Sequence, residues 1–157
     1  MNDHQTIVDE INGLIHVCIN GEEGFRNAAA HINNSELASE FEKIAHQRAK
    51  FAKDLQGEVE RLGGDAAHSG TLTGAMHRGW VDLKSALTGG DAGAVVAACE
   101  TGDDSAVAAF ERVVDGALPG ESRSLVEKQW RQIQETHNRL LALKAGAARG
   151  VEFPDNK

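Results

Sequence analysis

The sequence predicts an all-α protein in which four long helices form two antiparallel hairpins. Apolar residues recur every three or four positions along four long segments, which is typical of helices with one buried face. Short polar or glycine-rich breaks separate these segments. The chain also has only 2 prolines, no tyrosine and 4% aromatic residues, a composition that favours helices over a β-sandwich.

The first hairpin is predicted from helices over residues 4–31 and 35–62. Ser35 follows two asparagines, and we expect its hydroxyl to cap the second helix. Gly63 and Gly64 end that helix, as glycine commonly does after a helix C-terminus. Because the connection between the two helices is so short, they should pack antiparallel.

The second hairpin is predicted from helices over residues 91–116 and 121–147, joined by a tight LPGES turn. A long connection precedes it and contains a shorter helix over residues 72–87. Two antiparallel hairpins joined by one long crossover form the ferritin-like antiparallel four-helix bundle. At 157 residues the chain fits one domain, expected over residues 1–150 with a flexible tail at 151–157.

Charge and composition exclude several classes of protein. The net charge of −8 repels nucleic-acid phosphates, so we expect no nucleic-acid partner. No apolar run approaches the roughly 18 residues that a membrane-spanning helix needs. The N-terminal MNDHQTIVDE is acidic and polar, unlike a secretory signal, which predicts a cytoplasmic protein. Cys18 and Cys99 are expected to be buried free thiols at different heights in the bundle.

Two polar residues interrupt the apolar stripes of the long helices. Arg48 lies within the stripe of the second helix, and a buried guanidinium needs a carboxylate partner. The hairpin register indicates Glu22 as that partner. His137 lies in the stripe of the fifth helix, which makes it the strongest single candidate for a functional residue. It is either a core histidine hydrogen-bonded to a carboxylate or a metal ligand.

Helix positions counted from one end of the bundle place several polar residues at the same height. A metal site at that height would use carboxylates and imidazoles, which suit Fe or Mn. Its ligands are predicted among Glu22, His46, Glu100, Asp103 and His137.

A complete dinuclear site is disfavoured by the sequence. It would need a Glu-x-x-His tetrad on each of two helices, because that spacing puts both ligands on one face. The corresponding tetrads here are Lys43-Ile-Ala-His46 and Gln134-Glu-Thr-His137, which lack the glutamate. The sequence therefore favours no tightly bound cofactor, and its metal-binding alternative is a mononuclear or weak site ahead of a dinuclear one.

The chain carries a resemblance to a known family in three stretches: INGLIHVCINGEEGFRNAA, FEKIAHQRAKFAKDLQGEVERLGG and SGTLTGAMHRGWVDLKSALTGGD. It continues through VAACETGDDSAVAAFERVV to the ETHNRLLALK helix. The chain resembles a bacterial family of ferritin-like four-helix-bundle proteins of unknown function. The resemblance implies a ferritin-like bundle in a bacterial, cytoplasmic protein, and it implies no established activity.

The function that the sequence favours is a non-enzymatic, stress-associated bundle that acts through protein contacts with a partner or a second copy. Trp130 and Leu141 lie away from the predicted core and suggest a contact patch.

The alternative is a metal-binding, redox or metal-handling bundle. A third hypothesis is a cofactor-free hydrolase or lyase with Glu22 and His137 as acid and base, for which the sequence supplies no nucleophile. His77, beside the apolar stripe of the crossover helix, is predicted to pack or hydrogen-bond against the bundle.

Overall fold

The computed structural model describes residues 4–70, 74–89 and 91–148, with side chains undescribed at 74–79, 147 and 148. The described residues form five helices and contain no strand. None of these helices is both long and apolar enough to cross a membrane. The predicted tail at 151–157 and the side chain of His77 lie outside the described part. The helices are α1 (His4–His31), α2 (Ser35–Arg61), α3 (Gly74–Gly89), α4 (Ala92–Val114) and α5 (Gly120–Ala148).

The predicted cap of α2 is wrong by one residue. Asn34, not Ser35, is the N-cap, because Asn34 keeps an extended backbone and its side chain accepts a hydrogen bond from the Leu37 amide at 3.0 Å. Asn34 is also buried, so the side chain that satisfies this amide is shielded from water. Ser35 is instead the first residue of the helix.

The four long helices form a ring in which contacting neighbours run antiparallel. α1 packs against α2 and α4, and α5 packs against α4 and α2, while α3 lies over α4 and α1. Since α2 and α4 are both antiparallel to α5, they run parallel to each other across the diagonal of the bundle. The direction of α5 follows from four contacts: Glu58–Ser122, Glu40–Arg139, Asp103–His137 and Glu100–Lys144.

A layer of buried charge divides the core into two apolar clusters. Arg48 on α2 and Asp103 on α4 are buried at the level between these clusters, with Arg48 fully inaccessible to water. The division explains why the apolar stripes of α2 and α4 are interrupted near their midpoints. One cluster includes Ile11, Leu55, Phe110 and Ile133, and the other includes Phe25, Phe41, Val96 and Leu140.

Trp80 fixes the crossover helix α3 against the bundle. Its indole occupies space left by two glycines, since a Cβ atom on Gly24 of α1 or on Gly102 of α4 would lie 2.5 or 2.2 Å from it. The ring of Phe25 meets the indole edge-on at 5.4 Å between centroids. The two glycines therefore let an aromatic residue enter the groove between α1 and α4.

Candidate metal centre

The charged layer begins with an ion pair across the diagonal of the bundle. Arg48 Nη1 donates to Asp103 Oδ1, and Arg48 Nη2 donates to Asp103 Oδ2 at 3.4 Å. Its Nε donates to Gln47 Oε1 at 3.1 Å, and its Cζ lies 5.7 Å from the centre of the Phe25 ring. A buried guanidinium is tolerated only when its charge and its donors are met in this way.

Asp103 also holds the imidazole of His137 on α5. Its Oδ2 accepts a hydrogen bond from His137 Nδ1 at 3.4 Å. Burial raises the pKa of Asp103, but Arg48 and His137 more than offset it and leave that pKa below its usual value. Because an ionised Asp103 only accepts, the proton of His137 lies on Nδ1, and Nε2 points to another partner.

Two further carboxylates of α4 face His137 Nε2. Asp104 Oδ1 is 3.4 Å away and Glu100 Oε1 is 3.8 Å away. The two residues are four positions apart, which places both on one face of the helix. One ligand atom from each of Glu100, Asp104 and His137 lies within 4.8 Å of the other two.

These separations suit one small metal ion. Metal bonds of about 2.1 Å place adjacent ligand atoms about 3.0–3.4 Å apart. The Asp104–His137 distance already matches this range, and Glu100 would approach His137 by a few tenths of an ångström. The two carboxylates lie within 4.8 Å of each other and would draw together around the ion. The side chain of Glu100 is 8% exposed whereas that of Asp104 is 60% exposed, so the cluster opens to water on the Asp104 side.

The cluster also shifts the proton affinities of its members. The hydrogen bond to Asp103 raises the pKa of His137 against the opposing effect of its burial, and nearby carboxylates add to the rise. Partial burial and the charge of Glu100 raise the pKa of Asp104. The negative charge around Nε2 therefore favours a cation there, and a metal ion would have to displace any proton that these carboxylates stabilise on Nε2.

Three of the five predicted metal ligands come together in the structure, namely Glu100, Asp103 and His137. Asp103 contacts Nδ1 of His137, on the side away from Glu100 and Asp104. Asp103 therefore orients the histidine, and the two carboxylates near Nε2 are those of Glu100 and Asp104.

Glu22 and His46 lie elsewhere. Glu22 accepts from Arg26 of its own helix at 2.5 Å, and His46 is 3.6 Å from Glu42 with a side chain that is 73% exposed. The predicted Arg48–Glu22 ion pair is therefore wrong. Asp103 reaches Arg48 across the bundle at the same height, while Glu22 is satisfied one turn along α1.

Sequence reasoning missed Asp104 and Lys144. Asp104 is exposed and so does not stand out as a polar residue on an apolar stripe, although its spacing of four from Glu100 is a usable signal. Lys144 donates to Glu100 Oε2 at 3.0 Å. It follows His137 by seven positions, which returns it to the same face of α5.

The two cysteines lie outside this chemistry. Cys18 and Cys99 are free and buried, as predicted. Burial raises the pKa of both thiols, that of Cys18 to about 12, so neither forms the thiolate needed for attack or ligation at neutral pH.

Fold and site together define a helical-bundle protein with a buried charged layer that ends in a surface-accessible carboxylate–histidine cluster. The family model "Domain of unknown function (DUF2383)" matches residues 6–116, well over half of the chain. The chain belongs to this family. The match includes Arg48, Asp103 and both carboxylates of the cluster, while His137 on α5 follows it. Comparison with curated proteins gives no match.

Proposed function

We propose that the protein is a ferritin-like four-helix bundle that binds one divalent transition-metal ion through Glu100, Asp104 and His137. The observation that carries the proposal is the position of the His137 ring. Its Nδ1 donates to buried Asp103, and its Nε2 faces two carboxylates. Metal-binding histidines commonly donate their other ring nitrogen to a carboxylate, which fixes the ring and makes it a better ligand.

The ferritin-like assignment is supported by the connectivity. Two hairpins are joined by a long segment that carries α3, and the parallel direction of α2 and α4 requires such a crossover. Free, buried Cys18 and Cys99 agree with a reducing, cytoplasmic setting. The acidic net charge of −8 argues against a nucleic-acid partner.

The donor set favours Mn(II) or Fe(II). Two carboxylates and one imidazole are harder than the thiolates that select Cu(I), while the imidazole disfavours Mg(II) and Ca(II) relative to transition metals. Three protein ligands leave coordination positions for water on the exposed Asp104 side. We therefore propose a site that can take up and release its metal.

Action through protein contacts has weaker support. Among the described side chains, the large exposed hydrophobic residues are Val81 on α3 and Leu141 on α5, two helices that do not contact each other. Trp130 is half-buried against the core. These two exposed residues of the described surface therefore do not by themselves form a contact patch for a protein partner or a second copy. The proposed acid–base pair also loses support, because Glu22 bonds to Arg26 instead of His137.

The test is metal binding by chelator-treated protein, measured by calorimetry with Mn(II) and by elemental analysis after anaerobic Fe(II) loading and desalting. We expect one metal ion per chain. Glu100→Gln and His137→Gln should each weaken Mn(II) binding at least about tenfold, the scale on which even outer residues affect metal sites.

Glu22→Gln and His46→Gln are the matched controls, since they make the same chemical changes at the two predicted ligands that lie elsewhere. They should bind Mn(II) as the wild type does. Absence of binding by the wild-type protein, or equal affinity in His137→Gln, would overturn the proposal.

A further inference from the structure

We propose that Lys144 is a built-in competitor of the metal: its ammonium group holds Glu100 in the metal-free protein and leaves for solvent when the ion binds. This inference rests on the proposed metal site. It concerns what neutralises the Glu100 carboxylate before a metal ion binds, and how tightly the site then binds that ion.

The geometry gives the two oxygens of Glu100 different partners. Oε1 faces His137 Nε2 at 3.8 Å, whereas Oε2 accepts from Lys144 Nζ at 3.0 Å. The Glu100 side chain is only 8% exposed, so its charge needs a partner inside the protein. A metal ion that bound Oε1 would share the Glu100 carboxylate with the ammonium group of Lys144.

The sequence places Lys144 for this role. His137 and Lys144 are seven positions apart on α5, and Glu100 and Asp104 are four apart on α4. Because α4 and α5 run antiparallel, Lys144 meets Glu100 from the side opposite Asp104. The carboxylate of Glu100 therefore lies between the histidine and the lysine.

The two cations of the layer differ in their freedom to move. Arg48 is fully buried and donates to Asp103 and Gln47. If it moved away, the buried Asp103 carboxylate would lose its guanidinium partner. Lys144 is 46% exposed and has a flexible four-carbon stem. A divalent ion repels both, and only Lys144 can swing into water at small cost.

The first experiment compares Mn(II) affinity in wild type, Lys144→Gln and Lys144→Arg. Removing the competing cation should tighten binding about fivefold, as expected for a half-exposed ion pair. Lys144→Arg keeps the cation and should stay within about twofold of wild type.

Lys50→Gln is the matched control. Lys50 also donates to a carboxylate at 3.0 Å, that of Asp54, but on the outer face of α2. It changes the net charge of the protein by the same amount, and its Mn(II) affinity should stay within about twofold of wild type.

A second measurement follows the ammonium group itself. Acetylation by a water-soluble amine reagent, read by mass spectrometry at each lysine, should be faster at Lys144 in Mn(II)-loaded protein than in metal-free protein. Acetylation of Lys50 should not change.

The outcomes separate this inference from the proposed function. If neither wild type nor Lys144→Gln binds Mn(II), both proposals fail. If wild type binds and Lys144→Gln binds equally or more weakly, only the competitor role of Lys144 is overturned. Metal-independent acetylation of Lys144 would overturn it as well.

Discussion

Arg48 on α2 and Asp103 on α4 form a fully buried ion pair across the diagonal of the bundle. The pair lies between the two apolar clusters and connects, through His137, to the candidate metal ligands. One carboxylate thus meets two requirements, neutralising a buried guanidinium and orienting an imidazole. This dual role explains how the interior charge and the surface cluster come to form one continuous network.

Breaking the ion pair from either side should strongly destabilise the fold. Asp103→Leu leaves the Arg48 guanidinium buried without a carboxylate, and it should lower the free energy of unfolding by about 3–5 kcal/mol. Arg48→Met leaves the buried Asp103 carboxylate with only its bond from His137, so we expect a loss near the lower end of that range. The double variant should recover much of that loss, because it removes both charges together. Urea unfolding at neutral pH measures the cycle, and additive losses in the double variant would contradict the pairing.

The glycines beneath Trp80 should be intolerant of even a methyl group. Gly24→Ala and Gly102→Ala would each put a Cβ atom inside the space of the indole, so we expect a loss of about 1–3 kcal/mol and a changed Trp80 emission spectrum. A Trp130→Phe background isolates the Trp80 signal.

Gly13→Ala is the control for this prediction, because a Cβ at Gly13 on α1 meets nothing within 4 Å. It should leave the emission unchanged and stabilise the helix by about 0.4–1 kcal/mol. Equal effects of Gly13→Ala and Gly24→Ala would show that Trp80 does not occupy the groove.

Glu58 should make stability depend on acid pH. Hydrogen bonds from Arg61 lower the pKa of Glu58 below the ordinary 4.5. Burial opposes this shift, and the hydrogen bond from the Ser122 hydroxyl adds to it. The folded state therefore binds this proton less readily than the unfolded state. The stabilisation is present above pH 4.5 and disappears as the pH falls through the lowered pKa of the folded protein.

Urea unfolding at several values between about pH 3 and 6 measures this dependence. Glu58→Gln should flatten the dependence, and Ser122→Ala should reduce it in part. An identical slope in wild type and Glu58→Gln would rule out the contribution of Glu58.

Asp103 should affect metal affinity without contacting the ion. Asp103→Asn keeps the size of the side chain but weakens its hold on His137 Nδ1, so Mn(II) binding should fall about 10–100-fold. The measurement uses protein verified as folded by circular dichroism. Asp54→Asn, at an exposed partner of Lys50, is the control and should bind as wild type does.

Periodicity along the sequence was sufficient to predict the helices, because each long helix buries one apolar face. It also predicted a polar layer, since residue counts along antiparallel helices give heights. The partner of Arg48 was missed because heights do not say how each helix is rotated toward its neighbours. Arg48 lies against Gly21, the neighbour of Glu22, and only the packed structure shows that Asp103 is the carboxylate that faces the guanidinium.

The most direct test of the metal centre is the nitrogen spectrum of the histidine side chains during titration of ¹⁵N-labelled protein with Zn(II), a diamagnetic substitute. We expect Nε2 of His137 to shift on saturation with one ion per chain, while its Nδ1 keeps the proton bonded to Asp103. His46 should show no change. A spectrum in which His137 stays unperturbed at saturation, or in which another histidine responds instead, would contradict the site.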